Sequence, residues 1–265
     1  MNLQEIGPKA IAIVKDTGAF IRKEALNFNT SLIEYKGKND LVSYVDKTAE
    51  KQLIEGLQKL IPSSGFITEE KTINKQSDDY NWIIDPLDGT TNFSHSLPPY
   101  CISVALMLKN KIILGIVYEV VSDECFYSWE GTKAYLNGKE IKVSEIDSLD
   151  KSLIATGFPT IKYNRMKEYM EVFDYCMKNT HGLRRLGSAA IDLAYVACGK
   201  FEVFYEYGLN PWDVAAGAFL VQQAGGKVSD FNGGNNYLFG EEMLAGNAKT
   251  HDSFLSVIKL HFHGK

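Results

Sequence analysis

The stretch that decides the fold runs from Trp82 to Phe93 and reads Trp-Ile-Ile-Asp-Pro-Leu-Asp-Gly-Thr-Thr-Asn-Phe. Trp82, Ile83 and Ile84 make an apolar strand, and Asp85 ends it. Pro86 follows, Asp88 comes three residues after Asp85, and Gly89 supplies a tight turn. Thr90 and Thr91 then open a helix or helical turn, whose free N–H groups can face an anion. Two carboxylates held this close repel each other unless a cation lies between them. The arrangement points to a hard cation bound through oxygen, magnesium or manganese. A polar loop with capping aspartates accounts for Asp85 and Asp88 equally well, so the chemistry needs support from the rest of the chain.

Strand patterns continue downstream. Residues 100–109 and 111–120 are apolar runs joined by a tight turn near Asn110. Residues 124–129 and 133–141 follow, the latter with Asn137-Gly138 as a hairpin signal. Adjacent strands of this kind predict a largely antiparallel sheet. Upstream, Leu3, Ile6, Ala10, Val14, Ile21 and Ala25 recur at helical spacing over residues 2–27. Ala49, Leu53, Leu57 and Leu60 predict a second helix from Thr48 to Leu60, ended by Pro62. A short extended piece, residues 65–70, carries the acidic pair Glu69-Glu70.

The second half alternates strand and helix. Strand-like residues 153–158 precede a helix with Met166, Tyr169, Met170, Phe173 and Met177 as its apolar positions. Helices are expected over 188–198, 212–224 and 248–260, with strands at 201–207, 227–231 and 243–246. The fold class is α+β, a mixed sheet with helices following the antiparallel one. The expected division is 1–148 and 149–265, with a soft boundary near 145–152.

Net charge is −5, which offers no basic field for nucleic acid or an anionic membrane. A phosphate substrate would need local help from metal ions or backbone N–H groups. Residues 1–15 lack the basic start and apolar run of a signal peptide, and no stretch is long and apolar enough to span a bilayer. Cys101, Cys125, Cys176 and Cys198 are far apart and read as reduced, buried thiols. The expected compartment is the cytoplasm.

Other chemistries find little support. His95, His181, His251, His261 and His263 show no zinc-ligand spacing, and His261 and His263 read as solvent-exposed. No Gly-x-Ser-x-Gly elbow or nucleotide P-loop occurs. Ser188 reads first as a helix N-cap, and Asp213, just after Pro211, as a helix cap.

Taken together, the chain resembles the inositol monophosphatase family along nearly its whole length. Asp85-Pro86-Leu87-Asp88-Gly89-Thr90-Thr91-Asn92-Phe93 matches the family's first signature. Trp212-Asp213-Val214-Ala215-Ala216-Gly217, followed by Gln223-Ala224-Gly225-Gly226, matches its second. Glu69-Glu70 stands at the expected distance before the first. Asp40-Leu41-Val42 and Asp46 match an upstream acidic region, with Ser43 in place of the usual threonine and Thr68 where many members have glycine.

The resemblance implies a layered αβαβα sandwich and a phosphomonoesterase using two or three Mg2+ ions, Mn2+ being a possible substitute. It implies Glu70, Asp85 and Asp88, with the Leu87 carbonyl, as ligands of a first ion. Asp85, Asp88 and Asp213 would hold a second, and Glu70 a looser third through water. Thr90 would hold the attacking water, with Asp46 orienting it from behind. The N–H groups of Gly89 and Thr90 could cradle phosphoryl oxygens. A homodimer and lithium sensitivity are implied as well.

Substrate choice rests on local features. Thr91-Asn92-Phe93 resembles inositol phosphatases, and Glu206 matches a glutamate that binds inositol hydroxyls. Ser188 and Ala189 would line the same pocket by resemblance. The expected substrate is myo-inositol monophosphate or a similar polyol phosphate. Phosphatases of 3′-phosphoadenosine 5′-phosphate, fructose bisphosphate or NADP are the alternatives within the family. Arg184-Arg185 could attract a second phosphate, serve a subunit interface or simply be solvated. Lys36 resembles a flexible lysine near the family's site. A role as a protein partner of the transcription machinery is the alternative of another class, with no nucleic-acid contact and no membrane expected.

Overall fold

Helix α1 (Leu3–Ala25) turns Ala10, Val14, Thr17 and Ile21 inward. A short antiparallel pair, β1 (Glu34–Gly37) and β2 (Asp40–Val42), leads into helix α2 (Tyr44–Leu60). The structure, a computed structural model, describes residues 1–28, 34–37, 40–73, 75–159 and 163–262. Helix α2 begins at Tyr44, ahead of the expected Thr48, because Ser43 and Asp46 close a capping box. Ser43 Oγ accepts from the Val45 N–H at 3.1 Å, and Asp46 Oδ2 accepts from the Ser43 N–H at 2.9 Å. The serine therefore caps as a threonine would. Leu53 and Leu57 are fully buried from α2, each contributing about 1.5–3 kcal/mol of transfer free energy.

Seven strands pair in chain order: β3 (Gly65–Thr68), β4 (Tyr80–Asp88), β5 (Cys101–Leu108), β6 (Lys111–Glu119), β7 (Glu124–Trp129), β8 (Ala134–Leu136) and β9 (Lys139–Ile141). All neighbours are antiparallel except β3 and β4, which run parallel. Asn137 and Gly138 take positive φ (47° and 83°), as the expected hairpin turn requires. Helix α3 (Thr90–Ser94) follows β4 directly.

After a 3-10 turn at Leu149–Lys151 come β10 (Leu153–Thr156), α4 (Met166–Asn179), β11 (Gly182–Arg184), α5 (Ala189–Ala197), β12 (Val203–Tyr207), α6 (Pro211–Gln223), β13 (Lys227–Ser229), β14 (Glu242–Gly246) and α7 (His251–Phe262). The second sheet has the order β11-β10-β12-β14-β13. The first three of these strands are parallel, and β14 is antiparallel to both its neighbours. The sheet is mixed, as expected. The short strands β1, β2 and β11 were not expected from pattern.

Helices α1 and α2 cover one face of the seven-stranded sheet. Helices α5 and α6 lie between the two sheets, and α4 and α7 cover the outer face of the second. This is the αβαβα order. The middle helices are apolar nearly all round, which suits a layer with protein on both sides. They also pack unusually close. A Cβ added at Gly115 of β6 would lie 2.8 Å from the Ala216 carbonyl oxygen of α6. One added at Gly217 would lie 2.5 Å from Leu193 Cβ of α5.

Two expectations need correction. On α4 the buried positions are Tyr169, Val172 and Cys176, while Met170 and Met177 face solvent. The methionines suggested a stripe that the aromatic and thiol side chains actually provide. His261 is not fully exposed: it is half-buried, with Nδ1 3.4 Å from Glu171 and its ring 6.4 Å from that of Tyr175. His263 lies outside the described residues. The four cysteines are free, with Cys101, Cys125 and Cys176 buried and Cys198 partly so. No helix among the described residues is long and apolar enough to cross a membrane.

Candidate active site

The end of β4 meets the N-terminal ends of α3, α5 and α6 around a cleft of 550 Å³. Its walls include Glu69, Glu70, Asp88, Gly89, Thr90, Ser188, Ala189, Glu206 and Asp213. Residues from segments that span most of the chain thus reach one place.

The geometry at Asp85 and Asp88 depends on a bulge. In a regular strand, residues three apart point to opposite faces. Here Asp85 pairs with Ser103 and Asp88 with Cys101, so β4 carries one residue more than β5 across this interval. The extra residue resets the alternation, as bulges do. Asp85 is buried, and its Oδ1 accepts from the Leu87 N–H at 2.9 Å. Asp88 Oδ2 accepts from Ser188 Oγ and from the Ala190 N–H, both at 2.8 Å. The first turn of α5 therefore holds the Asp88 charge. Ser188 is also the expected cap, accepting from the Ile191 N–H at 3.3 Å. Asp213 is likewise a capping residue, its Oδ2 accepting from the Asn210 N–H at 2.7 Å.

These carboxyls are crowded and dry. Burial, then the charges of Glu69, Asp88 and Asp213, push the Asp85 carboxyl well above the ordinary carboxylate range. Burial lifts Asp88 to about 6, against the pull of the Ala190 N–H, Ser188 and Arg185. Burial and then the Asp88 charge lift Asp213 to about 7. Groups in this condition ionise together only with a cation among them.

The acidic loop after β3 lies beside Asp85. The Glu69 N–H donates to the Ile84 carbonyl at 3.2 Å, and the Glu69 charge adds to the rise of the Asp85 pKa. Glu70 lines the same cleft one position further out along the loop. The loop is clamped by Glu50, a fully buried residue of α2. Its Oε2 accepts from the Glu70 N–H at 2.8 Å. Its Oε1 accepts from Thr68 Oγ1 at 3.0 Å, the Thr72 N–H at 2.8 Å and Thr72 Oγ1 at 2.7 Å. Thr68, the departure from glycine, thus has a partner. Sequence reading passed over Glu50. Its signal was a charged residue one turn from Asp46 beside an apolar stripe.

Thr90 Oγ1 lies 3.0 Å from the Leu87 carbonyl oxygen and 3.1 Å from Asp46 Oδ1. A hydroxyl has one proton, so both acceptors compete for it and its lone pairs stay available to the cleft. Asp46 is fully buried and fixed by the Ser43 hydroxyl at 2.6 Å and N–H at 2.9 Å. Burial raises its pKa, opposed by these bonds from Ser43 and Thr90.

At the opposite wall stands Glu206 of β12. It is buried, not an exposed strand residue, and burial lifts its pKa to about 8, with Asp213 adding to the rise and Arg185 opposing it. Gly157 leaves room for it, since an added Cβ would sit 2.0 Å from Glu206 Oε2. The two arginines part ways. Arg185 lines the cleft with its guanidinium 5.6 Å over the Phe158 ring. Arg184 is exposed and donates to the Leu183 carbonyl at 2.9 Å. Lys36 lies in β1, and its side chain is outside what is described.

The donor set fits a hard divalent ion: the candidates are carboxylates and one carbonyl, all oxygen donors. Among the described residues no three acidic, histidine or cysteine side chains stand close enough together to hold an ion as they are.

Known proteins share this architecture. The model of the inositol monophosphatase family matches residues 2–261. The Nus factor SuhB of Pseudomonas aeruginosa is 37% identical over 257 residues, 95% of each chain. Among solved structures, the extragenic suppressor protein suhB from Bartonella henselae matches with a TM-score of 0.89 and 33% identity, over 97% of this chain and 98% of that one. The inositol monophosphatase from Anabaena matches with a TM-score of 0.87 and 32% identity, over 98% of each.

Proposed function

Since the chain belongs to the inositol monophosphatase family, a family of generally magnesium-dependent phosphatases, we propose that its substrate is a polyol monophosphate, with myo-inositol monophosphate the first candidate. The observation that carries this reading is the placement of Glu206. A buried carboxyl on β12 of the second sheet lines the same cleft as Asp88, Thr90 and Asp213. A carboxyl can accept from two hydroxyls at once, which suits the alcohol part of the substrate.

Glu69, Asp85, Asp88, Asp213 and the Leu87 carbonyl would hold two magnesium ions, with Glu70 reaching a third or its water; manganese would serve as a substitute. When bound, the ions neutralise phosphoryl oxygens and make water acidic enough to attack near neutral pH. Thr90 accepts a hydrogen bond from the attacking water while donating to Asp46, which fixes the direction of its lone pair. Ser188 and the Ala190 N–H keep Asp88 aimed. Gly89 and Thr90 border the phosphoryl position, and Ala189 and Ser188 border the alcohol. No covalent intermediate is required. A homodimer in the cytoplasm, inhibited by lithium, completes the reading.

The test is hydrolysis of a panel of polyol, sugar, nucleotide and aryl phosphates with magnesium. Preference for inositol monophosphate supports the reading. Equal rates across the panel, or preference for a nucleotide, would replace it.

A second reading rests on the relatives named Nus factors. This chain would then also contact the transcription machinery through protein surfaces, its charge of −5 giving no field for nucleic acid. Recovery of transcription proteins with a tagged chain, undiminished by loss of phosphatase activity, is the outcome expected of that role.

A further inference from the structure

Asp192 lies on α5, 1% exposed, in the wall of the cleft. Its Oδ1 has no hydrogen-bond partner. Buried carboxyl oxygens are almost always paired, so an orphan on a residue of the cleft wall calls for an explanation. The N–H groups nearest in sequence cannot supply a partner. The Ala190 N–H is committed to Asp88, the Ile191 N–H to Ser188 Oγ and the Asp192 N–H to the Ser188 carbonyl. Arg185, the cation on this wall, is exposed and stacked over Phe158. Lys71 belongs to the opposite, acidic-loop wall. A donor for Asp192 must come from what fills the cleft.

Its neighbour there is Glu206. Burial, then the charges of Glu206 and Asp88, raise the Asp192 pKa, and Arg185 opposes the rise. Protonated or not, the carboxyl keeps an oxygen able to accept. Two carboxyls on one wall match hydroxyls on adjacent carbons better than either matches alone.

We propose that Asp192 is a second hydroxyl-recognising residue beside Glu206, and that the two together select phosphomonoesters whose alcohol carries vicinal hydroxyl groups, as cyclitols and sugars do. The proposal rests on the phosphomonoesterase reading of the cleft. A site built to pair with a substrate hydroxyl discriminates strongly against an analogue lacking it, because its own polar group is then left unpaired.

The experiment measures kcat/KM for myo-inositol monophosphate and for a hydroxyl-free aryl phosphate in wild type, Asp192→Ala and Asp192→Asn. The magnesium-dependent rise in Tm of each variant confirms the fold and the metal site independently of turnover. The ratio of the two kcat/KM values should fall about tenfold in Asp192→Ala, the loss of one substrate hydrogen bond. It should fall by a smaller, measurable factor in Asp192→Asn, which keeps one acceptor. If the alanine variant does not fold, the asparagine variant decides. A wild-type preference retained in the folded variants overturns the role of Asp192. A wild type without preference overturns the polyol reading itself.

Discussion

Glu50 Oε2 accepts a hydrogen bond from the backbone N–H of Glu70 at 2.8 Å, tying a buried helix residue to a loop 20 positions away. The other Glu50 oxygen serves Thr68 and Thr72. A glutamine here would turn an amide donor toward one of these donors. Glu50→Gln should therefore cost about 1–3 kcal/mol of stability and weaken magnesium binding by roughly tenfold, because the loop carrying Glu69 loses its anchor. Calorimetric magnesium titration and a thermal melt check this. Unchanged affinity would show that the loop is held without Glu50.

Asp88→Asn removes a charge proposed to be shared by two ions. The expected loss is several kcal/mol of transition-state stabilisation, roughly a thousandfold or more in kcat. The two glutamates should separate. Glu69→Gln should depress magnesium affinity and kcat more than Glu70→Gln, since it is Glu69 whose charge reaches Asp85. The reverse order would return the ligand role to Glu70.

Acidity should affect the metal-free protein in an unusual direction. Asp88 and Asp213 are raised from 3.8 to about 6 and about 7. A carboxyl whose folded pKa exceeds its unfolded one binds protons more tightly when folded. Stability is then lost as pH rises from about 4 to about 7. In chelator, Tm should be higher at pH 5 than at pH 8, with the raised Asp85 and Glu206 acting in the same direction. Saturating magnesium should raise Tm at pH 8 far more than at pH 5, because protons compete for the same oxygens. Equal magnesium shifts at both values would mean that these carboxyls are not the ligands.

Gly157→Ala tests the alcohol side without touching an acidic residue. The added Cβ would fall 2.0 Å from Glu206 Oε2, so the carboxyl must move. Preference for inositol monophosphate over an aryl phosphate should drop, as it should in Glu206→Ala, by roughly tenfold for the loss of a hydrogen bond. Kinetics on the two substrates give the ratio; wild-type values in both variants would remove Glu206 from the substrate site.

Much of this was legible before the structure. The Trp82–Phe93 stretch announced strand, turn and helix, while its two aspartates fitted a cation and a capped polar loop equally well. What it did not announce is the bulge that brings Asp85 and Asp88 to one side, since a bulge shows only in the register against β5. Long periodic elements such as α1 and α6 were readable, whereas β11 has three residues and no period to detect. Asp213 and Glu206 entered through resemblance, since a helix cap and a strand glutamate look ordinary in isolation. Glu50, Gly157 and Asp192 escaped because their meaning lies in contacts distant along the chain. Sequence alone does not separate Glu69 from Glu70, because adjacent acids differ only in where the backbone points them.

The closeness of Gly115 to the Ala216 backbone, with the Phe219 side chain beside it, sets the height of α6 above β6. Asp213, one turn earlier on α6 than Ala216, inherits its position from that spacing. Substitutions among the apolar residues around α1 and α2 should then trade thermal tolerance freely while leaving turnover tuned. A single methyl group at position 115 should do the opposite, detuning turnover in a molecule that still folds. A mutational library scored separately for abundance and for phosphatase rate would place Gly115 off the diagonal on which the rest of the core falls.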